Sequence, residues 1–172
     1  MADGTGDAIL IVVILGVSGC GKSSLGLALA RDRGWEFLDA DDFHPPANIA
    51  KMAAGMPLDD TDRSPWLDRL AGLLAEHAAK RKSLVLACSA LKESYRQRLA
   101  SGAAFRLVHL TGSRELLAAR LQGREGHFMA ASLLDSQLAT LETPTGAIIV
   151  DIALPPIEQL ALIKAALGHS DK

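Results

Sequence analysis

Residues 8–24, "AILIVVILGVSGCGKSS", carry two patterns in succession. Residues 9–15 are apolar and largely β-branched on both faces, the pattern of a central parallel strand covered by helices on each side. Directly behind them "GVSGCGKS", residues 16–23, fits G-x-x-x-x-G-K-[ST] and opens a helix predicted over 22–33 with Gly34 as its stop. Strand, glycine-rich turn and helix, in that order, are the context in which this motif cradles phosphate. Its glycines let successive N–H groups turn inward on an anion, and the helix adds the partial positive charge of its N-terminus. Lys22 can reach β- and γ-phosphates, and the Ser23 hydroxyl can ligate Mg²⁺. The nucleotide-binding set is Gly16, Ser18, Gly19, Cys20, Gly21, Lys22, Ser23 and Ser24. The Cys20 thiol itself receives no chemical role.

Working outward, 172 residues suit one domain, with residues 1–7 as a flexible tail. A formal net charge of −2 offers no basic surface to nucleic acid or to an anionic membrane. Cys20 and Cys88 are far apart in sequence and make no disulfide framework, so reduced thiols and a cytoplasmic location are expected. The apolar run at 8–15 is preceded by Asp3 and Asp7 and by no Lys or Arg, which argues against a secretory signal. It is also too short to span a bilayer.

Strands are predicted at 36–39, 83–88, 105–110 and 147–151. Between them come a brief helix opened by Pro45-Pro46, a long helix with Ser64 as N-cap and Pro65 in its first turn, a helix over 92–99, and one capped by Ser113. Leu133, Leu134, Leu138 and Leu141 resume helical spacing, and 157–167 closes the chain as a helix. Strand and helix alternate throughout, which predicts an α/β fold with a parallel sheet. Ligands in such sheets bind beyond the carboxyl ends of the strands, a rim holding Gly16, Asp39, Ser89 and Thr111.

On that rim "DADDFHPPANIAKM", residues 39–52, sets two carboxylates two positions apart. Leaving a strand, Asp39 and Asp41 can project to the same side. One can help hold Mg²⁺ while the other accepts the proton of an attacking hydroxyl, the assignment being open in either order.

The runs "DADDFHPPANIAKMAAGMPLDDTDRSPWL" (39–67), "CSALKESYR" (88–96) and "RLQGREGHF" (120–128), together with the phosphate loop, resemble the gluconate kinase family of small P-loop kinases. Shikimate and adenylate kinases share the architecture but are not expected to carry H-P-x-x-N-x-x-K-M or D-R-x-P-W-L. The resemblance implies a P-loop NTPase fold with a five-stranded parallel sheet ordered 2-3-1-4-5, helices on both faces, a mobile lid at about 120–130, and often a homodimer. It implies transfer of the ATP γ-phosphate to the 6-hydroxyl of D-gluconate, with Mg²⁺. By motif position Asp41 is base or hydroxyl anchor and Asp39 belongs to the metal shell.

Gluconate is a polyol with one carboxylate, so its site needs a cation and several hydrogen-bonding groups. Arg63 suits a bidentate grip on the carboxylate. Lys92 and Arg96, with Tyr95 between them, follow the third strand at the same rim. His44, held extended by Pro45, can bond a hydroxyl, and His127 completes the substrate set. Arg124 is expected to offset transition-state charge, and Arg120 either shares that task or stacks on adenine. Trp66 reads as core. Two departures from the family, the short connection at 144–146 and Ala153 where an acidic residue is common, lie on the adenine side. The alternatives are a kinase for another small hydroxy acid such as shikimate, or a nucleotide-binding module without transfer activity. A GTPase switch is disfavoured by the absence of N-K-x-D.

Overall fold

A computed structural model describes residues 8–123 and 131–168. Its core is a five-stranded, all-parallel sheet in the order β2-β3-β1-β4-β5, built from β1 (Ile11–Leu15), β2 (Glu36–Asp39), β3 (Leu84–Ala87), β4 (Arg106–Thr111) and β5 (Ile148–Asp151). The central strand pairs Val12 with Val85 on one side and with Arg106 on the other. Strand alternation sorts its side chains cleanly. Val12 and Ile14 enter one core with Leu25, Leu29 and Ile163, while Ile11, Val13 and Leu15 enter the other with Trp66, Leu70 and Leu74. All five residues of β1 are buried, which is why the stretch reads as apolar on both faces.

The first core lies under α1 (Lys22–Arg33) and α7 (Pro156–Leu167), and it also takes in Leu117 and Leu121 of α5 (Arg114–Gln122) and Leu134 of α6 (Ala131–Thr140). The second lies under α3 (Asp60–Ala79) and α4 (Glu93–Ala100). Gly34 closes α1 at φ 68°, where a Cβ would be strained. Ser113 caps α5 by accepting from Leu116 N–H.

The long third helix starts earlier than Ser64. Asp59 is its N-cap and forms a capping box with Asp62. Pro65 therefore lies inside the helix and supplies no N–H to the Thr61 carbonyl. The correction places Arg63 within the first turns of α3 rather than ahead of it. Between β2 and α2 (Pro46–Ala53) a single 3-10 turn, Ala40–Phe43, carries Asp41. Among the described residues no helix is long and apolar enough to cross a membrane.

Candidate active site

The phosphate loop leaves β1 and enters α1 with Gly19 at φ 84° and Gly21 at φ 90°, angles that L side chains rarely adopt. Gly21 is the N-cap of α1, no side chain caps it, and the first turn holds no acidic residue. The helix N-terminus thus keeps its N–H groups and its partial positive charge for an anion. Lys22 folds over the loop and donates to the Val17 carbonyl at 3.1 Å. Cys20 is buried beneath the loop, and burial pushes its thiol up. Cys88 is pushed up to about 12 by burial. Neither supplies a thiolate at neutral pH.

A cleft of about 180 Å³ opens on this loop, lined by Ser18, Lys22, Ser23, Asp39, Asp41 and Ser89 among others. Asp39 ends β2 with its two carboxylate oxygens divided. One accepts from the Ser23 hydroxyl at 2.5 Å and the other from Asp41 N–H at 3.0 Å. The same residue therefore caps the 3-10 turn and stands against Ser23. A hydroxyl beside a carboxylate is the oxygen pair a hard cation favours. Among the described residues no group of three or more His, Cys, Asp or Glu is arranged to hold a metal alone. The Ser23 hydroxyl and the Asp39 carboxylate are the oxygen donors that would fit part of the shell of a hard cation such as Mg²⁺.

Among the described residues the Asp41 side chain makes no such hydrogen bond. The carboxyl is pushed up from the ordinary Asp value, first by its setting among protein atoms and then by Asp39, with Lys22 opposing. Its side chain is nonetheless 81% exposed, because the cleft is open to water.

His44 has the extended backbone expected before Pro45, with ψ 139°. It is buried and stacks on Trp66 with centroids 4.3 Å apart. Trp66 is core, as its helical stripe suggested, and its indole N–H is anchored on the Ala40 carbonyl. The buried Asn48 amide donates both to the Asp62 carbonyl at 2.9 Å and to His44 Nδ1 at 3.2 Å. With Nδ1 accepting, the ring proton sits on Nε2, which faces Asp41 at 3.9 Å. Burial and then Arg63 lower the His44 pKa, so the ring is neutral.

Arg63, Tyr95, Asp60 and Lys92 form a second group beside this one. Arg63 Nη1 donates to the Leu58 carbonyl and to Tyr95 Oη, and its Nη2 has no protein partner among the described residues. Lys92 donates to Asp60 at 3.0 Å, and the Tyr95 hydroxyl donates to the same carboxylate. The Lys92 charge is thus already answered, while one edge of Arg63 is open. Arg96 is placed differently from the expectation that it binds substrate. It is buried and donates to Ala90 O, Leu91 O, Glu142 O and Glu93. It clamps the loop that leaves β3, including Ala90 at φ 38°, and faces away from solvent.

A larger cavity of about 330 Å³ adjoins the loop on its other side, lined by Gly19, Gly21, Ser24, Arg120, Pro156 and Gln159. Arg120 donates to the Ile152 carbonyl, and the buried Gln159 donates to Ile152 O and Leu154 O. These bonds fix the segment that leaves β5 and carries Ala153, whereas the short connection at 144–146 precedes β5 and does not line this cavity. Ala153 N–H is itself taken by Asp151 at 2.8 Å. Arg124 and His127 lie outside the described residues. Asn48, Asp60, Gln137 and Gln159 were not expected from sequence. The only local signal was Asn48, one helical turn after His44.

An AAA-domain family model matches residues 11–144. Over 134 residues the chain is 51% identical to the gluconokinase of Gluconobacter oxydans (strain 621H), with 77% of this chain and 75% of that one covered. The chain belongs to the gluconokinase family. A crystal structure of a gluconokinase from Sinorhizobium meliloti 1021 is similar at TM-score 0.82 and 46% identity, covering 94% of this chain and 92% of that one. An unliganded sugar kinase from Janibacter sp. HTCC2649 reaches TM-score 0.88 at 43% identity, covering 92% and 94%. The strand order implied by the gluconokinase resemblance is the one observed.

Proposed function

We propose that this protein transfers the γ-phosphoryl group of ATP to the 6-hydroxyl of D-gluconate, giving 6-phosphogluconate and ADP. The observation that carries the reading is the division of labour in the acidic pair. Asp39 is spent on Ser23 and on the backbone, whereas Asp41 presents a free carboxylate with raised proton affinity to the same cleft. The two orders left open by sequence are unequal on this geometry. Asp39 with Ser23 suits the metal shell, and Asp41 suits the base.

In this reading ATP lies with its phosphates on the loop and its base in the larger cavity, against Arg120 and Pro156. Mg²⁺ would be held by Ser23, Asp39 and phosphate oxygens, where its chemistry is to offset phosphate charge. Arg63 grips the gluconate carboxylate through its open Nη2 edge. The neutral His44 offers Nε2–H toward Asp41 or a substrate hydroxyl, and Asn48 keeps that proton on the correct nitrogen. Asp41 accepts the proton of the 6-hydroxyl as its oxygen bonds to the γ-phosphorus and the bond to the ADP oxygen breaks. Lys22 follows the charge from γ- to β-phosphate.

A coupled assay of ADP release with MgATP, run across gluconate, shikimate, AMP and other sugar acids, tests this. Turnover dependent on gluconate is expected. Turnover with a different acceptor would retain the phosphoryl-transfer parts and remove Arg63 from its assigned role.

A further inference from the structure

Gln137 on α6 is joined by two hydrogen bonds to one residue of the phosphate loop, 119 positions earlier. Ser18 N–H donates to Gln137 Oε1 at 2.7 Å, and Gln137 Nε2 donates to Ser18 Oγ at 3.0 Å. The amide has one workable orientation, because flipping it would set its NH₂ against the Ser18 N–H. A serine hydroxyl carries one hydrogen and two lone pairs. Gln137 fills a lone pair, so the hydroxyl hydrogen must point elsewhere, and no protein group among the described residues accepts it. Ser18 lines the same cleft as Lys22, Ser23 and Asp41.

The helix that presents Gln137 is anchored on both sides of it. Asp135 takes a two-pronged ion pair from Arg114 of α5 at 2.5 and 3.0 Å, and the buried Leu134 packs into the core. Just beyond α6, Glu142 is tied to Leu91, Glu93 and Arg96. Gln137 is therefore a fixed fork rather than a loose surface amide.

We propose that Gln137 is a positioning residue that aims the Ser18 hydroxyl as a donor to the terminal phosphate of the bound nucleotide. This makes α6 part of the phosphate-binding machinery. Gln137 acts through polarity: its NH₂ occupies the acceptor side of Ser18 Oγ and leaves the donor side to the cleft. The proposal rests on the nucleotide reading of the phosphate loop but not on the identity of the acceptor.

The test is a double-mutant cycle of Gln137→Glu and Ser18→Ala, read as Kd for a non-hydrolysable MgATP analogue and for MgADP. Gln137→Glu keeps the acceptor for Ser18 N–H but draws the hydroxyl hydrogen onto its own carboxylate. The ATP analogue is expected to weaken about 10-fold, the scale of one charge-assisted hydrogen bond, with ADP changed less than about 3-fold. In the Ser18→Ala background the same substitution should cost the analogue less than about 3-fold. Gln137→Met, which has similar shape and neither bond, frees the hydroxyl without drawing it away and should show a smaller loss in the same ATP-selective direction, and thermal melts confirm that each variant is folded. Equal losses on ATP analogue and ADP, or an equal loss with and without the Ser18 hydroxyl, would overturn the proposal. Absence of gluconate turnover in the wild type with these binding results intact would sink only the choice of acceptor.

Discussion

The Asn48 amide donates to His44 Nδ1 at 3.2 Å and thereby determines which nitrogen of the imidazole carries its proton. The other nitrogen faces Asp41 at 3.9 Å. A buried amide thus sets the hydrogen-bond character of the wall beside Asp41, the proposed base. Replacing Asn48 by Leu should free Nδ1 to hold the proton. We expect kcat for gluconate to fall by about 10-fold with KM for ATP unchanged, the scale of one hydrogen bond in the site. An unaltered kcat in a folded variant would reduce the amide to a structural bond.

Asp41→Asn removes the proposed proton acceptor while conserving shape. Loss of a positioned base typically costs about 10²–10⁴-fold in rate. Turnover should fall within that range while nucleotide binding, measured by calorimetry, persists. Normal turnover would exclude Asp41 from proton transfer.

Arg63 and Arg96 are both arginines near one rim, yet they should fail in different ways. Arg63→Ala should raise KM for gluconate by about 10–100-fold, the worth of a charge-assisted pair. Arg96→Met leaves the carbonyls of Ala90, Leu91 and Glu142 without their donor. It should lower stability by about 2–4 kcal/mol, visible as a lower urea midpoint. Wild-type stability with a selectively raised gluconate KM would return Arg96 to the substrate site.

The cavity beside Arg120 should read the base through Gln159. Its Nε2 is committed to two carbonyls, and among the described residues no protein group donates to its Oε1, which is left as an acceptor at the cavity wall. An acceptor there favours the adenine amino group. Comparison of ATP with a purine nucleotide lacking that amino group should show a preference of roughly 10-fold, the scale of one hydrogen bond at a buried site. Gln159→Leu should erase it. A preference unchanged by the substitution would place base recognition elsewhere.

Acid should weaken the fold through two imidazoles. His44 and the buried His109 both have lowered pKa values, first from burial and then from Arg63 and Arg96 respectively. The unfolded chain binds their protons more readily, so their contribution is fully present above about pH 6.5 and is lost as pH falls toward the folded values. Asp41, with a raised value, works in the opposite sense at more acid pH. Urea midpoints should therefore hold above about pH 7 and drop as pH falls from about 6.5 toward 5, and His109→Leu should flatten part of the slope. A flat profile in the unmodified protein would mean that these rings are charged at no cost in the fold.

The sheet was legible because its signals are local. Residues 9–23 hold strand, turn and helix entry in one window, and each later strand announces itself within a few residues. The start of α3 was misread for an equally local reason. Ser64-Pro65 imitates an N-cap followed by a first-turn proline, whereas the Asp59–Asp62 capping box, two acids three residues apart, resembles ordinary surface charge. Asp39, Asp41 and Arg63 could be singled out as candidates because charge near a phosphate loop is chemically distinctive, and the fold sets Asp39 and Asp41 on the cleft beside that loop. Arg96 was not separable from them, since its partner carbonyl on Glu142 is 46 residues away. The amides of Gln137 and Gln159 were invisible for the same reason. An amide takes its meaning from what it bonds, and those partners meet only in the fold.

The most direct test of the account compares D-gluconate with its 6-deoxy analogue under MgATP, following ADP release and the phosphorus NMR spectrum of the product. The account predicts turnover with gluconate, a single new phosphate ester at the 6-position, and none with the analogue. ADP release that is indifferent to the 6-hydroxyl, or an ester formed at another position, would contradict it.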